Sequence, residues 1–389
     1  MTDARGLRLA LFTDTFTPQV NGVAMTLERL VTAVEQRGGA VHVETVQVPG
    51  AREDRRVRRA PSLPFWAYPQ LRIATPGSRS AAERLRQFAP SLVHCTTPFG
   101  VGLAGRAAAN AIEVPLVTSY HTSFSDYLAH YGLSALDRVS WPFLRWFHNS
   151  GRRTFVPSRV IANELASRGF DGLRLWSRGV DPLRFAPRFR SDVMRARMGA
   201  HESTFVVAYV GRLASEKGMD AAIDAMRIVL ARHPGRVRFV LAGDGPHEAR
   251  CRANAPDGTW FAGALAGDEL SAFYASADAF IFPSATETFG NVVLEAMASG
   301  LPVIAPDQGA TTEFAHARTA LTFPAQSAHA LAGRVEWLLR DQRLRHSLRA
   351  AGLFEAASRT WDAVWDGLFA DYREAAGMAA VPPDAVRAA

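Results

Sequence analysis

Short runs of β-branched and apolar residues alternate along the chain with longer segments whose apolar residues recur every three to four positions. Parallel α/β sheets are built from this alternation. In the first half LRLALF (7–12), AVHVETV (40–46), SLVHC (91–95) and PLVTSY (115–120) read as buried strands. In the second, FVVAYVG (205–211), VRFVLAG (237–243), TWFAG (259–263), AFIFPS (279–284) and PVIAP (302–306) do the same. Between strands, MDAAIDAMRIVLAR (219–232) sets Met219, Ile223, Met226 and Leu230 on one helical face. A stretch near 181–203, with Pro182, Pro187 and a charged run, separates the two series. The pattern predicts one domain over 1–185 and a second over 186–357, each with its own sheet, then a closing helix, TWDAVWDGLFADYREAAG, within 358–389.

Composition narrows the picture. A chain of 389 residues, 48% hydrophobic, can bury two cores, which excludes disordered, collagen-like and coiled-coil readings. Its two cysteines, Cys95 and Cys251, lie far apart, so a disulfide framework is not expected and a reducing, cytoplasmic compartment is. The apolar run 9–12 is stopped by Asp14, too short for a signal peptide, and no stretch approaches the roughly 20 apolar residues of a membrane span. The chain should be soluble or at most peripheral.

Charge is distributed unevenly. The 44 basic residues are 43 arginines and one lysine, Lys217, and the formal net charge is +7. Residues 1–185 carry 23 basic and 14 acidic side chains, net +9, whereas 186–389 carry 21 and 23, net −2. REDRRVRR (52–59), followed by Phe65, Trp66 and Tyr68, supplies five of those arginines. In WPFLRWFHNSGRR (141–153), Trp141, Phe143, Trp146 and Phe147 alternate with Arg145, Arg152 and Arg153. Such segments suit an anionic membrane surface, and equally suit core aromatics beneath an arginine-rich exterior.

Ligands of parallel α/β sheets sit beyond the C-terminal strand ends. Three second-half loops there carry unusual chemistry. GRLASEKG (211–218) brings Arg212 and Lys217 to the start of a helix, an arrangement suited to phosphate, or else simply two surface cations. That the one lysine falls here favours the first reading. GDGP (243–246) offers glycines, Gly243 first, that let backbone approach a ligand or make a tight turn. In SATETFGNVVLEAMASGLPVIA (284–305), Asn291 is placed to cap a short helix (292–298) that is apolar apart from Glu295, and Glu287 sits in the loop before it. Ionised carboxylates only accept hydrogen bonds, which fits sugar hydroxyls, while the amides of Phe289, Gly290 and Asn291 can donate to an anion. The plain alternative makes Glu295 a satisfied core residue. In the first half, TDTFTPQVNGVAMTLERL runs from a strand into a helix with Asn21 and Gly22 just before it, and His121 ends a strand, followed by Asp126 and Tyr127. No complete dinucleotide fingerprint follows either first strand, and no Asp-x-Asp metal motif occurs.

Arg212, Lys217, the Glu287/Glu295 pair with seven residues between, and GLPVIA resemble the retaining glycosyltransferases of family 4, as do VNGVAMTLERL, SYHTSFSDYLAHYGL and RGVDPLRF. The resemblance implies the GT-B fold, two Rossmann-like domains with parallel sheets facing across a cleft, the C-terminal helix crossing back to the first. It implies a nucleotide-sugar donor and no cofactor. Arg212 and Lys217 would hold the diphosphate, Glu287 the donor sugar, and Glu295 the ribose, with Gly243, Phe289, Gly290 and Asn291 around them. The loop at Asn21 and Gly22 would approach donor phosphate and acceptor, His121 the transferred sugar, and Asp126 and Tyr127 the acceptor. TETFGNVVLEA, PQVNGV and SYHTSF look most like GDP-mannose-dependent lipid α-mannosyltransferases, with UDP-sugar glycolipid synthases close behind. The acceptor would be a lipid or glycan at the inner face of the cell membrane, and the reaction retaining and metal-independent. A sugar-nucleotide epimerase, turning over donor without acceptor, shares the second domain. A phosphorylase would instead use Lys217 for pyridoxal phosphate. A nucleic-acid partner fits the arginines but not paired carboxylates.

Overall fold

A computed structural model describes residues 3–19, 21–65, 68–74, 77–121 and 137–379. It contains two compact units, one formed by residues up to Ser177 together with those from Asp362, the other by Arg178–Trp361.

In chain order the strands of the first unit are β1 (Arg8–Phe12), β2 (Ala40–Val46), β3 (Val57–Ala60), β4 (Leu63–Phe65), β5 (Tyr68–Ile73), β6 (Leu92–Cys95), β7 (Leu116–Ser119), β8 (Thr154–Val156) and β9 (Leu173–Leu175). Seven of them form one sheet in the order β3-β2-β1-β6-β7-β8-β9, all pairings parallel, while β4 and β5 make a separate antiparallel pair. After Arg8 every residue of β1 is buried, as is all of β6, because helices cover both faces of the sheet. Three of these strands escape a periodicity reading. Val57–Ala60 lies inside the arginine-rich stretch, as an edge strand needs only one buried face; Thr154–Val156 and Leu173–Leu175 are three residues each, too short to show a period.

The second unit holds β10 (Phe205–Val210), β11 (Val237–Ala242), β12 (Trp260–Gly263), β13 (Ala279–Ile281), β14 (Val303–Pro306) and β15 (Ala320–Phe323), in the parallel order β12-β11-β10-β13-β14-β15. Strand alternation splits β10 between two cores. Val206, Ala208 and Val210 join one with Phe280, Val293 and Leu294, and Phe205, Val207 and Tyr209 join the other with Ile223, Met226 and Val229. The helix Met219–Arg232 has the predicted bounds, with Met219, Ile223 and Met226 buried and Leu230 half-buried beside Val229.

The units divide at Ser177 and Trp361 rather than at 185 and 357. Val180, Phe185, Met194 and Met198 belong to the core beneath β10 and β13, and Val180 bridges to Thr360, so this connecting stretch is held by the second unit. The helix Trp361–Ala376 packs, from Asp362 onward, in the first unit. Tyr372 Oη lies 2.7 Å from His94 Nδ1, Arg37 reaches Asp362 at 2.9 Å and Asp366 at 2.6 Å, and Arg152 donates to the Ala375 carbonyl at 2.9 Å.

Candidate active site

A parallel sheet opens a crevice where neighbouring strands send their crossovers to opposite faces. In the second unit that point lies between β10 and β13. Arg212 to Lys217 follow β10, and Ser284 to Glu287 follow β13. A short 3-10 turn, Ser215–Lys217, ends at Gly218 with φ +68°, from which the helix Met219–Arg232 starts. A Cβ at Gly218 would lie 2.6 Å from the Pro283 carbonyl oxygen, so glycine lets the two loops touch. Ser284 Oγ and Thr286 Oγ1 then donate to the Glu216 carbonyl at 3.4 and 3.2 Å. Across this seam Lys217 Nζ donates to Glu287 Oε1 in an ion pair whose side chains are only 20% and 25% exposed. Residues 70 apart in sequence are thus joined. Arg212 stands at the strand end, its carbonyl accepting from Tyr209 Oη at 3.0 Å.

The helix that follows Glu287 spans Asn291–Ala298. Its capping position belongs to Gly290 in a left-handed conformation (φ +93°), and no side chain caps it. The predicted cap by Asn291 is therefore corrected: Asn291 is the first helical residue, and its Oδ1 is buried with no hydrogen-bond partner among the described residues. Phe289 turns its ring into the core, 5.1 Å from the ring of Phe314, leaving only its backbone toward the loop. Glu295 has the partner its half-buried carboxylate requires, as Tyr274 Oη donates to Oε2 at 3.0 Å. Burial, reinforced by the charge of Glu295, pushes the Tyr274 hydroxyl far above its usual range and keeps it a neutral donor.

Gly243 and Gly245 serve backbone packing. A Cβ at Gly243 would lie 2.0 Å from the Gly211 carbonyl oxygen. One at Gly245 would lie 2.4 Å from that of Leu213. The loop so admitted braces the Arg212 segment, Leu213 N donating to the Asp244 carbonyl at 2.7 Å and His247 N to that of Leu213 at 2.9 Å.

In the first unit the corresponding point lies between β1 and β6. Asp14, just past β1, is fully buried; its Oδ2 accepts from Thr97 Oγ1 at 2.5 Å and its Oδ1 from Val101 N at 3.1 Å, in the first turn of the helix Gly100–Ala111. Desolvation raises this carboxyl to about 6, against the hydrogen bonds that lower it. Asn21 caps the helix Gly22–Gln36, Oδ1 accepting from Ala24 N at 2.9 Å while Nδ2 donates to Thr15 Oγ1 at 2.9 Å. A Cβ at Gly22 would meet no atom within 4 Å. His121, beyond β7, is buried, its Nε2 2.7 Å from Ser119 Oγ and its ring edge-on to Trp176 at 5.0 Å. Asp126 and Tyr127 lie outside the described residues. Asp14, Trp176 and Tyr274 are not apparent from motif spacing. A carboxylate directly after an apolar strand is the one signal that points to Asp14.

The basic stretches are partly spent on internal contacts. Arg56 pairs with Asp54 and Glu35, Arg59 donates to the Thr17 carbonyl at 2.7 Å, and Arg153 pairs with Glu374. Phe147 is core, and Trp141 lies under Arg168 at 3.7 Å. Phe143 and Trp146 remain exposed at 36% and 49%, with Arg106 4.0 Å over the Trp146 ring. Trp66 and the side chains of Phe65 and Tyr68 lie outside the described residues. Among the described residues no helix is long and apolar enough to cross a membrane, and no three His, Cys, Asp or Glu side chains gather as metal ligands.

Two Rossmann-like units of this topology are the layout of the GT-B glycosyltransferases, and the chain has that fold. The solved structure of sucrose-phosphate synthase from Thermosynechococcus elongatus superposes with a TM-score of 0.77 at 21% identity, covering 95% of this chain and 98% of that one. The family model described as Glycosyltransferase Family 4 matches residues 20–184, and the one described as Glycosyl transferases group 1 matches 204–341. A GDP-mannose-dependent alpha-mannosyltransferase of Mycobacterium tuberculosis is 35% identical over 96% of this chain and 98% of its own length. A sulfoquinovosyl transferase of Arabidopsis thaliana is 32% identical over 92% of this chain and 71% of its own. The chain belongs to glycosyltransferase family 4 and is a glycosyltransferase.

Proposed function

We propose that the enzyme transfers a hexose, mannose from GDP-mannose, to a hydroxyl of a lipid or glycolipid acceptor, with retention of anomeric configuration and without a metal. The Lys217–Glu287 pair carries this reading: it joins a cation and a carboxylate across the second unit's crevice, beside two helix N-termini that bear no side-chain cap. Arg212, Lys217 and those helix ends would bind the departing diphosphate, concentrating positive potential where negative charge develops. Glu287 accepts from the sugar hydroxyls and Glu295, held by Tyr274, from the ribose. The amides following Glu287 lie beside the phosphates, and His121 and the loop at Asn21 and Gly22 serve the transferred sugar and the acceptor. The bond from the anomeric carbon to the acceptor oxygen forms on the face from which the diphosphate oxygen leaves, and that oxygen takes the acceptor proton. Identity over nearly the full length of the mannosyltransferase favours mannose, while the sulfoquinovosyl relative makes the donor sugar the first point to test.

A thermal-shift panel of GDP, UDP, ADP and their sugars tests the donor, since a ligand selective for the native state raises the melting temperature. GDP-mannose should give the largest shift, and a larger one with a UDP-sugar would replace it. An inverted product anomer by NMR would remove retention, and activity lost in EDTA and restored by a divalent cation would remove metal independence. Turnover of the donor with no acceptor present would favour an epimerase. Exposed Phe143 and Trp146 beside Arg106 support a cytoplasmic enzyme docked peripherally on the inner membrane face. Flotation with anionic liposomes tests this, and recovery wholly at the bottom of the gradient at low salt would exclude it.

A further inference from the structure

Lys217 has two claimants. It is proposed to hold the donor diphosphate, yet it is already engaged by the carboxylate of Glu287. The pair is no loose surface contact, because the close approach at Gly218 and the two hydroxyl bonds to the Glu216 carbonyl fix both loops. Among the described residues neither group has another ion-pair partner. The Lys217 ammonium has three N–H donors, so a phosphate oxygen can share it with Glu287, and the diphosphate then stands beside a mostly buried carboxylate of its own sign.

The two ligands that compete for this site differ in what they give Glu287 in return. A free nucleoside diphosphate presents only further acceptors there, so it draws on the charge of Lys217 and repels Glu287 without giving the carboxylate a new donor. A nucleotide sugar presents hydroxyl groups, which donate to the Glu287 carboxylate and offset that repulsion. From this difference we infer that Glu287 is a specificity-determining residue that discriminates between donor and product: it opposes a bare diphosphate at Lys217 and accepts one that carries a sugar. The same discrimination speeds departure of the diphosphate after transfer, when the sugar hydroxyls have moved to the acceptor and Glu287 again competes for Lys217. This role rests on the proposed donor site.

The test measures dissociation constants for GDP and GDP-mannose, with UDP and UDP-glucose in parallel, by titration calorimetry on the full chain as wild type, Glu287→Gln and Lys217→Ala. Glu287→Gln should bind GDP about threefold to tenfold more tightly than wild type and GDP-mannose no more tightly, so that the preference for the sugar-bearing ligand contracts. The gain should shrink as salt is raised, because screening weakens both the pair and the repulsion. Lys217→Ala should weaken every nucleotide. Glu287→Asp, shorter by one methylene and so drawn back from Lys217, should move GDP affinity the same way and covers the case in which the glutamine variant does not fold. Unchanged or weakened GDP binding in both Glu287 variants, with Lys217→Ala still weakened, overturns the discrimination and leaves the donor site standing. Full nucleotide affinity in Lys217→Ala overturns the site itself.

Discussion

The two sheets reverse at equivalent points and treat the adjoining helix N-termini in opposite ways. In the first unit both are closed by side chains of the chain itself: Asn21 caps Gly22–Gln36, and Asp14 reaches the first turn of Gly100–Ala111. In the second, Gly218 and Gly290 occupy the capping positions and no side chain caps either helix. Helix N-termini attract anions and acceptors; the first unit meets its two with an amide and a carboxylate of its own, and those of the second carry no side-chain cap. The charges follow suit. The carboxylate of the first unit is buried and hydrogen-bonded by neutral donors, whereas that of the second meets a lysine within reach of solvent. One fold thus yields a crevice whose helix ends are met by its own side chains and one whose helix ends are not, through the choice of residue at four loop positions.

The largest effect that separates the two sites should come from Lys217→Ala and Glu287→Ala, each expected to cost transfer roughly 10²- to 10³-fold in kcat/KM, as loss of a group that stabilises developing charge does. Near-normal rates in both would move the active centre elsewhere. Melting temperature should change little, since the pair is partly exposed.

For the buried carboxylate of the first unit the signature is in stability. The Asp14 carboxyl is raised from 3.8 to about 6, so between those values the folded protein keeps a proton that the unfolded chain has lost. Its contribution is complete below about pH 4 and lost as pH rises through about 6, amounting to about 3 kcal/mol. His94 and His148, both depressed by burial from 6.5 to about 3, act in the opposite sense, stabilising above pH 6.5 and less and less as pH falls. The wild-type curve therefore mixes both. Asp14→Asn keeps an acceptor for Val101 N and abolishes titration, so the difference between wild type and variant in urea unfolding should trace Asp14 alone. A difference independent of pH between 4 and 7 would mean the carboxylate is not desolvated as described.

A smaller shift is expected from Tyr274→Phe, which deprives Glu295 of its buried donor. The KM for the donor should rise about threefold to tenfold with kcat nearly unchanged. An effect on kcat alone would contradict a binding role for Glu295. Smallest of all in stability is Gly22→Ala. The added methyl meets open space and alanine favours the helix, so unfolding free energy should stay level or gain up to about 1 kcal/mol. If a ligand approaches this loop, kcat/KM falls nonetheless; unaltered kinetics would leave the first unit's loop without a part in the reaction.

Elements with a strong internal period are legible from sequence: β2 and the helix Met219–Arg232 have the bounds that their apolar spacing predicts. The edge strand Val57–Ala60 is hidden by four flanking and internal arginines at 55, 56, 58 and 59, whose side chains need no burial. Asn291 reads as a cap because asparagine is a frequent one, but Gly290 alone can take the left-handed turn that precedes the helix, a Cβ there lying 2.5 Å from Thr311 Cγ2. The glycines at 243 and 245 read as either a ligand approach or a tight turn, and each is required first by a neighbouring carbonyl.

By itself the sequence determined two α/β series and a set of candidate residues with the charges and hydrogen-bonding groups proposed for a nucleotide sugar, since periodicity and side-chain chemistry are local properties. Only the tertiary structure decided which of those residues meet. Lys217 finds Glu287 across 70 positions and Asp14 finds Val101 across 87, because crossover connections set the C-terminal ends of β10 and β13, and of β1 and β6, side by side. No local pattern records that adjacency, and it gives the first crevice a buried, hydrogen-bonded carboxylate and the second a partly exposed ion pair.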